Sequence, residues 1–219
     1  MKIEWLAHSC FKITLENNKI LIFDPFHESI GYRSVDTHAD YVFTSHSHRD
    51  HSCLDHITGD YRLFNTACDM EVDGMEIRGI KTYHDKTCGA DRGENITFKV
   101  KAEGINLLHL GDLGHIPNDV YFEKLGQVDI LFIPVGGKYT LNAEEAFEVT
   151  KRIEPNLIIP MHYKTLNLEL DVESVFHFTD VTKGYYDRSR LGTSAFEITA
   201  DRLKKRSRII LMESSLERE

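Results

Sequence analysis

Apolar residues along this chain come in short runs, and several runs are closed by a residue able to bind a metal. Ile20-Leu-Ile-Phe leads to Asp24, Tyr41-Val-Phe-Thr-Ser to His46, and Ile80-Lys-Thr-Tyr to His84. Leu107-Leu-His-Leu-Gly leads to Asp112, and Ile158-Ile-Pro-Met to His162. Runs of this length and β-propensity read as strands, so several strands deliver a polar residue to what could be one rim. Strands are predicted near 2–7, 10–16, 19–23, 40–44, 62–65, 75–82, 96–100, 105–110, 128–134 and 157–159, with a last one at 208–212. Asn17-Asn18 suits a hairpin turn. One helix is predicted from Asn142 to Ile153. Asn142 is its N-cap, acids fill the first turn, Ala146, Val149 and Ile153 share a face, and Pro155 follows. The stretch 167–192 is polar and aromatic (Phe176, Phe178, Tyr185, Tyr186) with no decisive period. It reads as a peripheral helix and loop on an otherwise single domain spanning 1–219; a substrate cover or an oligomer contact are the other readings.

Composition narrows the classes. The chain has 219 residues, enough to bury a sizeable core, and 41% hydrophobic content is ordinary for a globular domain. Thirty-five acidic against 26 basic residues leave a net charge of −9, which disfavours a nucleic-acid surface. Lys204-Lys-Arg206 and Arg208 form a basic cluster, read as the solvated end of the last strand. No stretch approaches a membrane span. Cys10, Cys53, Cys68 and Cys88 are scattered without a CxxC pair, which fits free thiols and a cytoplasmic protein. Cys53 is expected to pack at a helix start rather than to bind metal.

The run His46-Ser47-His48-Arg49-Asp50-His51 packs four potential ligands into six residues. A strand continuation would put His46, His48 and Asp50 on one face; a loop could wrap all four around a small volume. Imidazole and carboxylate suit Zn²⁺, with Mn²⁺ and Fe as alternatives. A polar surface loop is the bland reading, and four ligands directly behind a buried strand argue against it.

The H-x-H-x-D-H pattern, with Asp24, His84, Asp112 and His162 following in order, resembles the metallo-β-lactamase-fold hydrolases from Met1 to about Leu166. Trp5-Leu-Ala-His-Ser-Cys-Phe and Gly137-Lys-Tyr-Thr look similar to the small stand-alone hydrolases that include ascorbate-6-phosphate lactonases. One departure is Ala7, where that family has glycine before the histidine. The resemblance implies an α/β fold: a four-layer αββα sandwich of two mixed sheets flanked by helices. It also implies two divalent ions per chain. His46, His48 and His84 would hold one, Asp50, His51 and His162 the other, and Asp112 would bridge them. Asp24 would orient a ligand through a hydrogen bond. Asp50 and Asp112, with His8 and His115 as further candidates, make up the catalytic set. His109 alternates with Leu108 and Leu110 and reads as structural.

Two metals sharing a hydroxide replace a serine or cysteine nucleophile, and the chain has no Gly-x-Ser-x-Gly elbow. The expected reaction is hydrolysis of an ester-like small molecule, a lactone or phosphodiester. Lys86 or Arg92, on the polar run after His84, would meet an anionic substrate, and Tyr163 and Lys164 could face the pocket. A nuclease of the same fold is the nearer rival, though no basic arm supports it. A di-iron redox protein would have an acid in place of His48. A non-catalytic metal binder would lack ligands that are all present here. A homo-oligomer stays open.

Overall fold

The computed structural model describes residues 1–203 and 206–217. The chain opens with an antiparallel meander of β1 (Lys2–Ala7), β2 (Cys10–Thr14) and β3 (Ile20–Phe23). Asn18 takes φ 64° at the β2–β3 turn, as the Asn-Asn pair predicts. Then come β4 (Thr37–His38), β5 (Tyr41–Phe43), β6 (Ile57–Thr58) and β7 (Arg62–Phe64). Strands β8 (Cys68–Val72), β9 (Met75–Tyr83), β10 (Glu94–Ala102) and β11 (Ile105–His109) run antiparallel in sequence. After them α1 (Asp119–Leu125), β12 (Ile130–Pro134), α2 (Ala143–Ile153) and β13 (Leu157–Met161) alternate, and their strands pair in parallel. The chain closes with α3 (Val175–Val181), β14 (Asp187–Arg190), β15 (Ala195–Glu197) and β16 (Arg208–Leu211).

Two large mixed sheets result, ordered β15-β1-β2-β3-β5-β7 and β14-β16-β13-β12-β11-β10-β9-β8. Alternation on the strands explains how they face each other. Ile3, Trp5, Phe11, Ile13, Leu21, Phe23 and Phe43 share a core with the second sheet, and Phe11 meets Phe132 at 4.3 Å while Phe43 meets Phe98 at 5.3 Å. The alternate residues Leu6, Cys10, Ile22 and Val42 point outward into a second cluster with Phe26, Ile30, Tyr32, Leu168 and Val172. Loops and a single 3₁₀ turn at Glu28–Ile30 supply that outer cover, so on this side the described residues form a helical layer only in vestige. On the other sheet α2 has the predicted cap, with Asn142 and Glu145 bonding reciprocally to each other's backbone N–H.

The stretch 167–192 is more integrated than a peripheral insertion. It supplies α3, which packs on α2, and β14, the edge strand beside β16. Cys53 corrects another expectation: no helix starts there among the described residues. Its N–H donates to Pro25 O at 2.8 Å inside a loop. Lys204 and Lys205 of the basic cluster lie outside the described residues; Arg206 pairs with Asp187 at 3.3 Å. No helix among the described residues is long and apolar enough to cross a membrane.

Candidate metal centre

Strand ends from both sheets converge. Asp24 follows β3, the 46–51 run follows β5, His84 follows β9, Asp112 lies past β11, and His162 follows β13. Strand pairing within each sheet brings these ends to a common edge, and the facing of the two sheets closes the ring. Three of the turns are made at a backbone cost. His8 (φ 53°), Asp24 (φ 45°) and His162 (φ 51°) all sit in the left-handed region, at roughly 1–3 kcal/mol each for a non-glycine residue. The strain turns each side chain back from its strand end. At the His8 turn the residue before it is Ala7, fully buried in β1, and the positive φ falls on His8 itself. Alanine therefore suffices there. Two glycines permit the close approaches. A Cβ on Gly136 would lie 2.1 Å from His162 O, and one on Gly111 would lie 2.4 Å from Ser45 Cβ.

Residues 46–51 form a loop rather than a continued strand, with the His51 N–H bonded to His48 O at 2.9 Å. Wrapped this way, the run offers ligands in several directions. Three overlapping groups have ligand atoms within 4.8 Å of one another: His46, His48 and His84; His8, Asp50, His51 and His162; and His46, His51 and Asp112. The first is the set the resemblance implied. The second adds His8 to the implied set. Asp112 Oδ2 lies 3.2 Å from Nε2 of each of His51, His84 and His162, and 4.0 Å from His46 Nε2. One carboxylate thus reaches both histidine groups. Asp50 Oδ2 stands 3.6 Å from His51 Nε2 and 3.5 Å from His8 Nε2.

Hydrogen bonds behind the ring fix which nitrogens face inward. Asp24 Oδ1 accepts the Ser45 N–H at 2.7 Å, and its Oδ2 accepts the Ser45 hydroxyl at 2.7 Å and His51 Nδ1–H at 2.8 Å. The Ser45 oxygen stands 2.9 Å from His46 Nδ1. His84 Nδ1–H donates to Tyr139 O at 3.1 Å. In each of these rings Nε2 is left for the interior. Buried Asn95 holds Asp112 from below. Its Oδ1 accepts the Asp112 N–H at 2.9 Å, and its amide donates to Leu110 O at 2.9 Å and to Thr82 Oγ1 at 2.8 Å.

The donor set fits divalent cations. Asp112 Oδ1 and His8 Nδ1 are buried without a hydrogen-bond partner among the described residues, a costly state unless another group satisfies them. Burial, reinforced by the nearby His162, brings the His8 pKa down to about 4. Burial next to His51 brings His46 to about 3. Burial also opposes charge on His51, but Asp112, Asp50 and Asp24 outweigh it and raise its pKa well above the usual value. For Asp112 burial disfavours ionisation, and His162 and His51 overcome it, holding the carboxyl well below the usual range. An ionised carboxylate among imidazoles of both leanings is the kind of site in which a cation competes with protons.

A cavity of ≈ 370 Å³ opens onto this centre, lined by His48, Asp50, His84, Arg92, Asp112, Tyr139, His162 and Leu170. Other candidates lie elsewhere. His115 accepts the Tyr83 N–H through Nε2 at 3.3 Å and is not brought to the cluster. His109 donates to Ser9 O at 2.8 Å and stacks on Phe23, a structural place. Tyr163 is buried against Trp5, and Lys164 turns its ammonium to Leu170 O at 3.0 Å, so neither lines the cavity. Lys86 pairs with Glu145. Ser45, Asn95 and Leu170 were missed from sequence. Each is an ordinary residue type whose importance comes from a contact distant in the chain.

Known proteins resemble this chain in sequence and in fold. A family model described as beta-lactamase superfamily domain matches residues 2–162. A UPF0173 metal-dependent hydrolase of Natranaerobius thermophilus is 30% identical over 193 residues, covering 75% of this chain and 84% of that protein. A UPF0173 protein of Pyrococcus furiosus is 32% identical over 200 residues, covering 79% and 88%. Among solved structures, a presumed Zn-dependent hydrolase of the metallo-beta-lactamase superfamily from Thermotoga maritima superposes with a TM-score of 0.80. It is 33% identical and covers 98% of this chain and 99% of its own.

Proposed function

This chain belongs to the beta-lactamase superfamily domain family, and on that footing we propose that it is a metal-dependent hydrolase using two divalent cations against an ester-like small molecule, a lactone or a phosphodiester. The observation that carries this reading is Asp112, whose Oδ2 stands 3.2 Å from histidines of both ligand groups. His46, His48 and His84 would hold one cation, Asp50, His51 and His162 the other, and Asp112 would serve both. Zn²⁺ is the default for such ligands, with Mn²⁺ or Fe next. When bound, the pair would supply an activated water and positive charge for the oxygen that becomes negative.

The protein's own groups do the rest. Asp24 and Ser45 hold His51 and His46 in the tautomers that point Nε2 inward, and Tyr139 O does the same for His84. Asn95 keeps Asp112 from swinging out. Neutral His8 packs beside Asp50, His51 and His162, its ring centroid 4.4 Å from that of His162, and so fixes the acid between them. The exposed side of the ring, at His48 and Asp50, is where substrate would enter. Among the described residues no serine or cysteine lines the cavity, consistent with water as the nucleophile.

Elemental analysis of protein purified without chelator tests the reading, paired with a lactone and phosphodiester screen. Close to two metals per chain and turnover that disappears in Asp112→Ala and His48→Ala are expected. No metal after reconstitution, or wild-type turnover in either variant, would overturn it.

A further inference from the structure

We propose that Arg92, stacked on Tyr139, is an anion anchor, so that the substrate carries a phosphate or carboxylate group besides its scissile bond; this rests on the hydrolase reading above. Among the described residues, Arg92 is the only lysine or arginine lining the cavity over the ligand cluster. Its side chain is exposed, and its guanidinium carbon lies 4.3 Å from the centroid of the Tyr139 ring. The other cations of this neighbourhood are engaged: Lys86 with Glu145 and Lys138 with Asp171. Arg92 has no acidic partner among the described residues. In a chain of net charge −9, a lone guanidinium facing the reaction cavity is a selective feature.

Its position is built, not incidental. Asp85 gathers the loop that carries it. Oδ1 accepts the N–H of Thr87 at 2.8 Å and of Gly89 at 2.7 Å, and Oδ2 accepts the N–H of Asp91 at 3.1 Å and of Arg92 at 2.8 Å. The loop is therefore pinned from within by one carboxylate. Tyr139 gives the guanidinium a flat support from the opposite side, while its carbonyl accepts the His84 proton. The anchor and a metal ligand thus share one residue. A second cavity of ≈ 390 Å³ adjoins the first through His84, Arg92 and Tyr139, leaving room for the anionic end of a substrate beyond the metals. A planar fork of N–H donors matches phosphate or carboxylate oxygens in pairs.

The test is calorimetric titration of inorganic phosphate and of succinate into the metal-loaded protein, with the wild type, Arg92→Lys and Arg92→Ala. A charge-assisted contact predicts about ten- to hundred-fold weaker binding in Arg92→Ala for at least one anion, with partial rescue in Arg92→Lys. Equal dissociation constants for both anions in wild type and Arg92→Ala would overturn the proposal, since the metals alone would then hold the anion. A kinetic arm compares 4-nitrophenyl hemisuccinate with 4-nitrophenyl butyrate. The ratio of their kcat/KM values should fall at least ten-fold in Arg92→Ala, and an unchanged ratio counts against the anchor. Arg92-dependent anion binding without turnover of any ester would instead fail the hydrolase reading and leave the anchor standing.

Discussion

Replacing Asn95 by leucine is the sharpest probe of how the fold holds this centre. Asn95 is fully buried and bonds to three groups on two other strand ends. Leucine fills about the same space and bonds to none of them. The Asp112 N–H and the Leu110 carbonyl would be left buried and unpaired, at about 1–3 kcal/mol each, so about 2–6 kcal/mol in all. The Thr82 hydroxyl keeps its bond to the Asn95 carbonyl at 3.1 Å and adds little. For a chain of this length 1 kcal/mol corresponds to about 2–4 °C in Tm, so the metal-free variant should melt about 4 °C lower or more. Released from Asn95, the Asp112 backbone should also let its carboxylate drift, lowering metal content at a fixed free-metal concentration. Differential scanning calorimetry in chelator reads the first effect and elemental analysis after dialysis reads the second. A Tm within 1 °C of wild type together with full metal loading would refute the argument that Asn95 supports the centre.

Three further outcomes follow from the same geometry. Asp24→Asn removes the charge from the acceptor of His51 and sets an amide against Ser45, so metal affinity should drop by about ten- to hundred-fold; competition with a fluorescent chelator measures it, and unchanged affinity argues against the orienting role. Stripping the metals should cost about 2.7 kcal/mol of stability for a cation held at a hundred times its dissociation constant, seen as a Tm fall that added Zn²⁺ reverses; a Tm indifferent to chelator would mean no cation supports the fold. Acid should destabilise the metal-free protein between pH 6.5 and 4. There the unfolded chain protonates His8 and His46 while the folded one, with pKa values of about 4 and 3, does not. His51 has the opposite sign: its raised pKa gives stability that is full below pH 6.5 and fades as pH rises through the folded value. A flat Tm across pH 6.5 to 4 in chelator would contradict the assignment for His8 and His46.

Much of this protein is legible in the chain itself. Apolar runs marked most of the strands because central strands are buried on both faces, one against the other sheet and one under the outer cover, and Asn142 with Glu145 wrote the α2 cap into residues three apart. The candidate ligands could be listed because imidazoles and carboxylates at strand ends have few other reasons to recur in that order. What local pattern could not reveal were relations between distant residues. The short strands β4, β6, β14 and β15 exist only by pairing. Ser45 and Asn95 matter through bonds to Asp24 and Asp112. His115 and Lys164, close in sequence to candidate ligands, turn away because other partners hold them. The different surroundings of Lys86 and Arg92 likewise come from the tertiary fold, which pairs the first with Glu145 and lays the second over Tyr139. Chemistry of residue types is a property of the chain; which of those residues meet depends on the packing of two sheets whose strand ends lie far apart in sequence.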